Sequence, residues 1–340
     1  MRALIERVVR HEDLTADEAA DAMRDVMEGK ATPAAIAGLL SALVMKGERP
    51  AELAGFARTM RAGATPLGAI YDNVFDTCGT GGDNSGTFNI SSAAALVVAA
   101  CGVRVAKHGN RSVSSRCGSA DLFEALGVNI AAPPPVVERC LNEAGIAFFF
   151  APTFHPSMRH AAPTRKDLGV RTAFNLLGPL TNPAGAARQL VGVPRPELTE
   201  LVARSLGLLG SARAWVVHGA DGLDEISTTG YTKVSEYRDG AVNTFYVHPG
   251  DVGIAKAAPE ALRGGDVSEN ARIARDVLAG ERGAARDIVL VNAGASLLIA
   301  GAAKDLAEGI SRAALALDSG AAARTLSRLT ELSNAAPEAA

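Results

Sequence analysis

Two loops rich in glycine, serine and asparagine, set one helix and one strand apart, restrict this chain more than any other feature. The first reads Asp76-Thr77-Cys78-Gly79-Thr80-Gly81-Gly82-Asp83-Asn84-Ser85-Gly86-Thr87-Phe88-Asn89-Ile90-Ser91-Ser92. The second reads Lys107-His108-Gly109-Asn110-Arg111-Ser112-Val113-Ser114-Ser115-Arg116-Cys117-Gly118-Ser119. Residues 93–101 between them are apolar and helical in character, Gly102 is their stop, and residues 103–106 read as a strand. Strand, loop, helix, strand, loop in that order brings both loops to one end of a parallel sheet.

The residue types suit an anion. Val74-Phe75 is expected to close a short strand, after which Gly79, Gly81 and Gly82 let the backbone take positive φ and turn its N–H groups outward. Ser91 or Ser92 stands where an N-cap belongs, so the positive end of the following helix faces the same space. Lys107, expected at the end of its strand, adds an ammonium beside the amide and hydroxyls of Asn110, Ser112, Ser114 and Ser115. The competing reading is a pair of Gly/Ser turns joining βα units, and two such loops in this layout favour phosphate.

The rest of the chain divides by pattern. Residues 1–70 read as helices only: Thr15-Ala16-Asp17-Glu18 is a capping box, Thr32-Pro33 an N-cap with first-turn proline, and Gly29 and Gly47 are stops. Ile36, Leu39, Leu40 and Leu43, and later Leu53, Phe56 and Met60, recur at helical spacing and read as core or a dimer seam. From Tyr71 strand and helix alternate. A helix opens at Ser119 and closes at Gly127; residues 128–130 form a strand, a helix follows Pro133-Pro134-Pro135, and the wholly apolar residues 146–150 form a strand covered on both faces. Residues 233–237 and 242–246 form a hairpin through Arg238-Asp239-Gly240, and helices run on to a polar tail after Ser333.

Charge excludes several functions. A formal net charge of −3 over 340 residues gives no basic footprint for nucleic acid or an anionic membrane, so any phosphate site must be local. The most apolar stretches are too short or too interrupted to span a bilayer, and the charged start is no secretory signal. Cys78, Cys101, Cys117 and Cys140 lack C-x-x-C spacing, which argues against a zinc site and fits a reducing cytoplasm. Arg159, Arg165, Lys166 and Arg171 cluster within thirteen residues, usually a solvated helix face. His155, after a strand end, reads equally as a ligand contact or a helix cap. Asp224-Glu225 reads from its residues alone as an exposed acid pair on a loop, with a cation site as the alternative.

The Gly79 to Asp83 loop, the Lys107 to Ser115 loop, Arg165-Lys166-Asp167-Leu168-Gly169 and Leu177-Gly178-Pro179-Leu180-Thr181-Asn182-Pro183 together resemble the anthranilate phosphoribosyltransferase family over nearly the full length. Arg116 and Cys117 stand where that family usually has Lys and Ser, and Thr153-Phe154 fall in a segment that differs among its members. The resemblance implies an α/β fold of the nucleoside phosphorylase and phosphoribosyltransferase class: a small all-helical domain plus a larger α/β domain with a mostly parallel central sheet. Its expected bounds are 1–70, completed by about 168–186, and then 71–167 with 187–340.

The implied reaction moves a phosphoribosyl group from 5-phosphoribosyl 1-diphosphate (PRPP) to anthranilate. PRPP is expected at Gly79, Gly82, Asp83, Thr87, Asn89, Ile90, Ser91, Ser92, Lys107, His108, Gly109, Asn110, Arg111, Ser112, Val113, Ser114, Ser115 and Ser119. Anthranilate is expected at Gly79, Asn110 and Arg165, with the 178–183 loop lining its approach. Mg²⁺, as a pair of ions, is expected on Asp224 and Glu225 with an oxygen from Ser91. No catalytic side chain is assigned, although His108 is a candidate. A homodimer, built on the helical domain and with no nucleic-acid or membrane partner, is implied as well. Pyrimidine nucleoside phosphorylases share the pairing of a glycine-rich with a lysine loop, but Asn110-Arg111-Ser112-Val113 departs from their pattern. A non-catalytic paralogue binding nucleic acid is the other alternative, against which the acidic balance speaks.

Overall fold

The computed structural model describes residues 1–112 and 116–336. Its first part is helical: α1 (Arg2–Val9), α2 (Ala16–Met27), α3 (Pro33–Lys46) and α4 (Pro50–Ala62). The expected caps are present. Thr15 Oγ1 accepts from Glu18 N at 3.2 Å while the Glu18 carboxylate takes Thr15 N at 2.9 Å. Thr32 Oγ1 likewise accepts from Ala35 N ahead of Pro33. Gly55 lets α4 press onto α2, for a Cβ there would lie 2.9 Å from the Ala19 methyl.

Strand and helix then alternate through β1 (Val74–Gly79), α5 (Ile90–Ala100), β2 (Arg104–Gly109), α6 (Ser119–Ala125), α7 (Pro134–Glu143), β3 (Ile146–Phe150), α8 (Ala151–Phe154), α9 (Ala162–Leu168), α10 (Ala173–Leu177), β4 (Arg188–Gly192), α11 (Leu198–Leu208) and β5 (Arg213–Gly219). A hairpin of β6 (Thr232–Arg238) and β7 (Ala241–Val247) and the helices α12 (Val267–Leu278), α13 (Ala284–Ala300), α14 (Leu306–Asp318) and α15 (Ala321–Asn334) complete the described chain. The seven strands form one sheet in the order β3-β2-β1-β4-β5-β6-β7, parallel through β5 and antiparallel at the hairpin. Asp239 and Gly240, both at positive φ, make the hairpin turn.

Both faces of the sheet are covered. Trp215 and Val217 of β5 face a core that includes α5, α13 and α15, while Ala214 and Val216 face a second core. That second core also contains Leu39, Leu43, Leu53 and Phe56 of the helical part and Ala173, Phe174, Leu177 and Leu180 of the later segment. The alternation of a strand therefore ties the helical layer to the sheet.

Four sequence expectations are corrected. The first strand starts rather than ends at Val74-Phe75, because β1 pairs with β4 as far as Gly79. Lys107 lies inside β2 rather than beyond it, since β2 pairs with β3 out to Gly109. Residues 128–130 are a turn: Val128 N bonds back to Phe123 O and Ala132 N to Asn129 O, and Pro133 opens the next helix at once. Pro179–Thr181 is a single 3₁₀ turn rather than an open loop. β4 itself had no sequence signal beyond a short apolar run.

A buried polar knot joins the 3₁₀ segment to the sheet. Asn182 Nδ2 donates to Asp76 Oδ2 at 2.9 Å and to Ala106 O at 2.8 Å, and its Oδ1 accepts from Ala184 N. The other Asp76 oxygen accepts from His108 N at 3.3 Å. Full burial pushes the Asp76 carboxyl upward, with Lys107, Asn182 and His108 N opposing. Asn182→Leu strips the side-chain donor from a buried acid, and urea unfolding is expected to register a loss of about 3 kcal/mol.

Candidate functional site at the switch point of the sheet

The strand order reverses between β1 and β4, because the chain builds outward through β2 and β3 before returning to β1's other side. Open α/β sheets bind ligands just there, outside the carboxyl ends of the strands. The last pair of the β1–β4 ladder is Gly79 with Gly192. Asp224, from the loop after β5, rests on both. A Cβ on Gly79 would come 2.5 Å from Asp224 Oδ2, and one on Gly192 would land on the Asp224 carbonyl oxygen. Two glycines side by side are what admit a carboxylate to the crevice.

Backbone donors hold the acid pair. Gly81 N donates to Asp224 Oδ2 at 3.1 Å, and Ser91 N, in the first turn of α5, donates to Glu225 Oε1 at 3.0 Å. The α5 N-terminus thus takes a protein carboxylate. Helix α5 begins at Ile90, with Asn89 before it and no side-chain cap, so neither Ser91 nor Ser92 is its N-cap. Asn89 is instead a bridge, donating to Cys117 O and accepting from Asn270 Nδ2, each at 3.0 Å. Glu225 is buried and Asp224 half-buried, against the exposed-pair reading.

Burial drives both acids upward, and proximity adds to it: Asp83 raises Asp224, and Asp224 raises Glu225. The opposing cations are Arg171 for Asp224 and Lys107 for Glu225. Lys107 is 2% exposed, and its ammonium makes no hydrogen bond or ion pair among the described residues. Asp83 Oδ2 is buried without a partner. Three carboxylates under-compensated by two cations fit a further cation, and their all-oxygen donors suit Mg²⁺. Among the described residues no group of three or more His, Cys, Asp or Glu side chains could hold a metal alone. One or two carboxylates completed by phosphate oxygens and water is the habit of Mg²⁺.

The other residues expected to hold the donor have varied surroundings. Gly82, at φ +80°, packs against the Arg171 guanidinium, which donates to Thr80 O at 3.3 Å. Thr87 forms an isolated bridge with Arg263. Ile90 is buried, so it offers backbone only, and Ser92 Oγ is buried without a partner. Gly109 packs against Ser119 Oγ, which donates to Asn110 O at 3.4 Å. The guanidinium of Arg111 lies on Glu124 and Asp121, and Asp121 Oδ2 accepts from both Ser112 N and Gly118 N. Arg111 thereby fastens its loop to α6. Val113, Ser114 and Ser115 lie outside the described residues.

On the other side of the crevice, His108 Nδ1 lies 3.2 Å from Gly178 O. A carbonyl only accepts, so Nδ1 carries the proton and Nε2, buried without a partner, is an open acceptor. Burial, with His155 and Lys107 nearby, pushes His108 down to about 3, leaving the ring neutral. His155 is a core histidine, its Nε2 donating to Thr181 O at 2.9 Å. Arg165 stands 5.0 Å above the Phe174 ring, half-buried, its pKa lowered by desolvation, and it has no carboxylate partner among the described residues. Such a cation is short of one anion. Sequence reasoning missed Asp76, Gly192 and Asn270, whose roles depend on contacts between distant segments.

Comparison with known proteins agrees with this arrangement. Residues 2–64 match the model of the glycosyl transferase family, helical bundle domain, and residues 71–323 that of the glycosyl transferase family, a/b domain. The anthranilate phosphoribosyltransferase of Moorella thermoacetica is 56% identical over 96% of this chain and 96% of its own. The chain belongs to the anthranilate phosphoribosyltransferase family. The enzyme of that name from Symbiobacterium thermophilum is 53% identical over 98% of both chains. Among solved structures, that of the family member from Thermus thermophilus matches with a TM-score of 0.92 at 46% identity, covering 98% of this chain and 99% of the other. The Saccharomyces cerevisiae family member in complex with PRPP and Mg matches at 0.88 and 26% identity, covering 97% of each.

The acid pair yields a stability test. A carboxyl whose pKa is raised by folding binds its proton more tightly when folded, so its contribution to stability falls as pH rises above the ordinary carboxylate range. Asp224→Asn with Glu225→Gln is expected to raise the melting temperature of the metal-free protein at pH 8. That gain disappears toward pH of about 4, where both carboxyls are protonated anyway. Melting curves in chelator and in Mg²⁺ check this, and the double variant no longer responds to Mg²⁺.

Proposed function

We propose that the crevice transfers the phosphoribosyl group of PRPP to the amine of anthranilate, giving N-(5-phosphoribosyl)anthranilate and diphosphate, a step of tryptophan biosynthesis. The observation that carries this is the under-compensated Asp83, Asp224 and Glu225 cluster at the switch point, with Lys107 acting on Glu225, beside an Arg165 that stacks on Phe174 and has no carboxylate partner among the described residues. PRPP lies along Gly79, Gly82, Asp83, Thr87, the backbone from Asn89 to Ser92, and the loop from Lys107 to Ser115 with Ser119. Bound Mg²⁺, a pair of ions on Asp224, Glu225 and Ser91, supplies charge neutralisation for the departing diphosphate.

The bond from the anomeric carbon to diphosphate breaks with its electron pair on the leaving group, and the amine nitrogen forms the new bond and gives up one N–H proton to solvent. Positive charge develops on the ribosyl group and negative charge on the diphosphate. Lys107, held in place by the buried β2 strand, meets the second of these without reorganising. Arg165 grips the anthranilate carboxylate with its planar fork while Phe174 braces the guanidinium. His108, fixed in one tautomer by Gly178 O, offers neutral Nε2 as an acceptor for an amine N–H. Gly79 and Asn110 complete the acceptor site. Rate enhancement then comes mainly from positioning.

We also propose the domain division given by the sequence, with residues 1–70 completed by about 168–186; the packing of Ala173, Phe174, Leu177 and Leu180 with α3 and α4 residues supports it. A homodimer through the helical layer is supported by exposed Val9, Val44 and Met45. Cys78, Cys101, Cys117 and Cys140, none of them in a disulfide, fit a cytoplasmic setting. Among the described residues no helix is long and apolar enough to cross a membrane.

Anthranilate fluorescence tests the reading: it is expected to fall only when protein, Mg²⁺ and PRPP are all present. Arg165→Ala should raise the KM for anthranilate about tenfold or more and leave that for PRPP nearly unchanged, as removal of one charge-assisted contact requires. An equal rise in both would remove Arg165 from the acceptor site.

A further inference from the structure

Arg171 opposes the charge of Asp224 but has no part in binding substrate so far. It belongs to the short link between α9 and α10, and both sides of that link are fixed. Gly169 caps α9 in the left-handed conformation at φ +63°, and Thr172 N donates to Asn175 Oδ1 at 2.9 Å as α10 begins. A side chain on so short and anchored a link is aimed rather than free. Its guanidinium reaches out of the helical layer to the glycine-rich loop, donating through Nη2 to Thr80 O. Nη1 occupies the place where a Cβ on Gly82 would be, so the loop is made of glycine at the point where the arginine lies on it.

An exposed arginine usually contributes little. Three features set Arg171 apart. The carbonyl it meets belongs to the loop that holds Asp224 through Gly81 N. It acts electrostatically on both Asp224 and Asp83, while Lys107 acts on Glu225. The two cations thus act on different members of the carboxylate cluster. Finally, among the described residues one hydrogen bond at 3.3 Å to one carbonyl leaves most of its donors uncommitted, while desolvation lowers the pKa of the guanidinium.

We propose that Arg171 is a donor-side residue, which holds the Gly79–Gly82 loop in register and contacts the diphosphate of PRPP. This rests on the function proposed above. A guanidinium beside a cluster that binds a charged phosphate group through a cation is placed to take the outer phosphate oxygens with its free fork. Arg165 lies close to it in the chain, so one short stretch carries the acceptor's anion partner and the donor's.

The test compares Arg171→Ala, Arg171→Lys and Arg165→Ala with the unchanged protein. Initial rates give KM for each substrate, and calorimetry gives PRPP binding with Mg²⁺ in the absence of anthranilate. Arg171→Ala is expected to weaken PRPP by about tenfold or more in both KM and Kd, the loss typical of a charge-assisted contact, while KM for anthranilate holds. Arg171→Lys, which keeps the charge and loses the fork, should recover part of that loss. Arg165→Ala gives the reverse pattern. Unchanged PRPP binding in Arg171→Ala overturns the proposal, as does an equal rise in both KM values with a lowered melting temperature, which marks a structural residue only. If the unchanged protein binds PRPP but does not consume anthranilate, the proposed reaction fails and the calorimetric comparison still decides Arg171.

Discussion

Negative charge confined at the rim of a parallel sheet is the constraint around which this molecule is arranged. Asp224 and Glu225 arrive together from the loop after β5, and each is received by a backbone N–H: Gly81 for one, Ser91 at the start of α5 for the other. Backbone donors are fixed by the fold and cannot rotate away, so the acids stay where side chains alone would let them relax toward water. Burial still disfavours their ionised forms. The protein keeps the pair charged only with help from Lys107, Arg171 and whatever cation the site takes up. Such a site stores an electrostatic demand for a further cation.

Reaching that state depends on missing atoms as much as on present ones. Gly79 and Gly192, adjacent across the β1–β4 ladder, leave the space that Asp224 fills, and Gly82 leaves the space for Arg171. Behind them, Asp76 and Asn182 lock the 3₁₀ segment to β1 and β2, and His108 reaches Gly178 from the same strand. The helical layer and the sheet therefore meet at the site through polar bonds and beneath it through an apolar core that combines Phe56 and Leu177 with Val191 and Val216. Substitution far from the crevice can disturb it, since the elements that aim Arg165, Arg171 and His108 share this packing.

Much of the plan was legible along the chain. Capping at Thr15 and Thr32, the helical stripe of Ile36 to Leu43, the apolar strand 146–150 and the Asp239-Gly240 turn are local signals, decided by residues within a turn or two of each other. So were the two loops, because glycine spacing and a following helix constrain the backbone whatever lies around it. The errors fell where local evidence ran out. Val74-Phe75 and residues 103–106 gave strand ends too early, because a strand continues as long as its neighbours pair with it, and those neighbours are distant in the chain. β4 was invisible for the same reason, and Ser91 resembled an N-cap although α5 already begins at Ile90, which puts Ser91 inside the first turn with its N–H on Glu225.

By itself the sequence determined the succession of helices and strands, the parallel arrangement that brings both loops to one rim, and the family to which the chain belongs. Only the tertiary structure decided that Asp224 and Glu225 are confined rather than solvated, that Gly192 faces Gly79, that Arg111 is committed to α6, and that Arg171 leaves its own layer for the glycine loop. The division has a physical cause. Backbone preference and hydrophobic period act over a few residues, whereas the charge state of an acid and the partner of an arginine depend on what the fold brings to them from elsewhere in the chain.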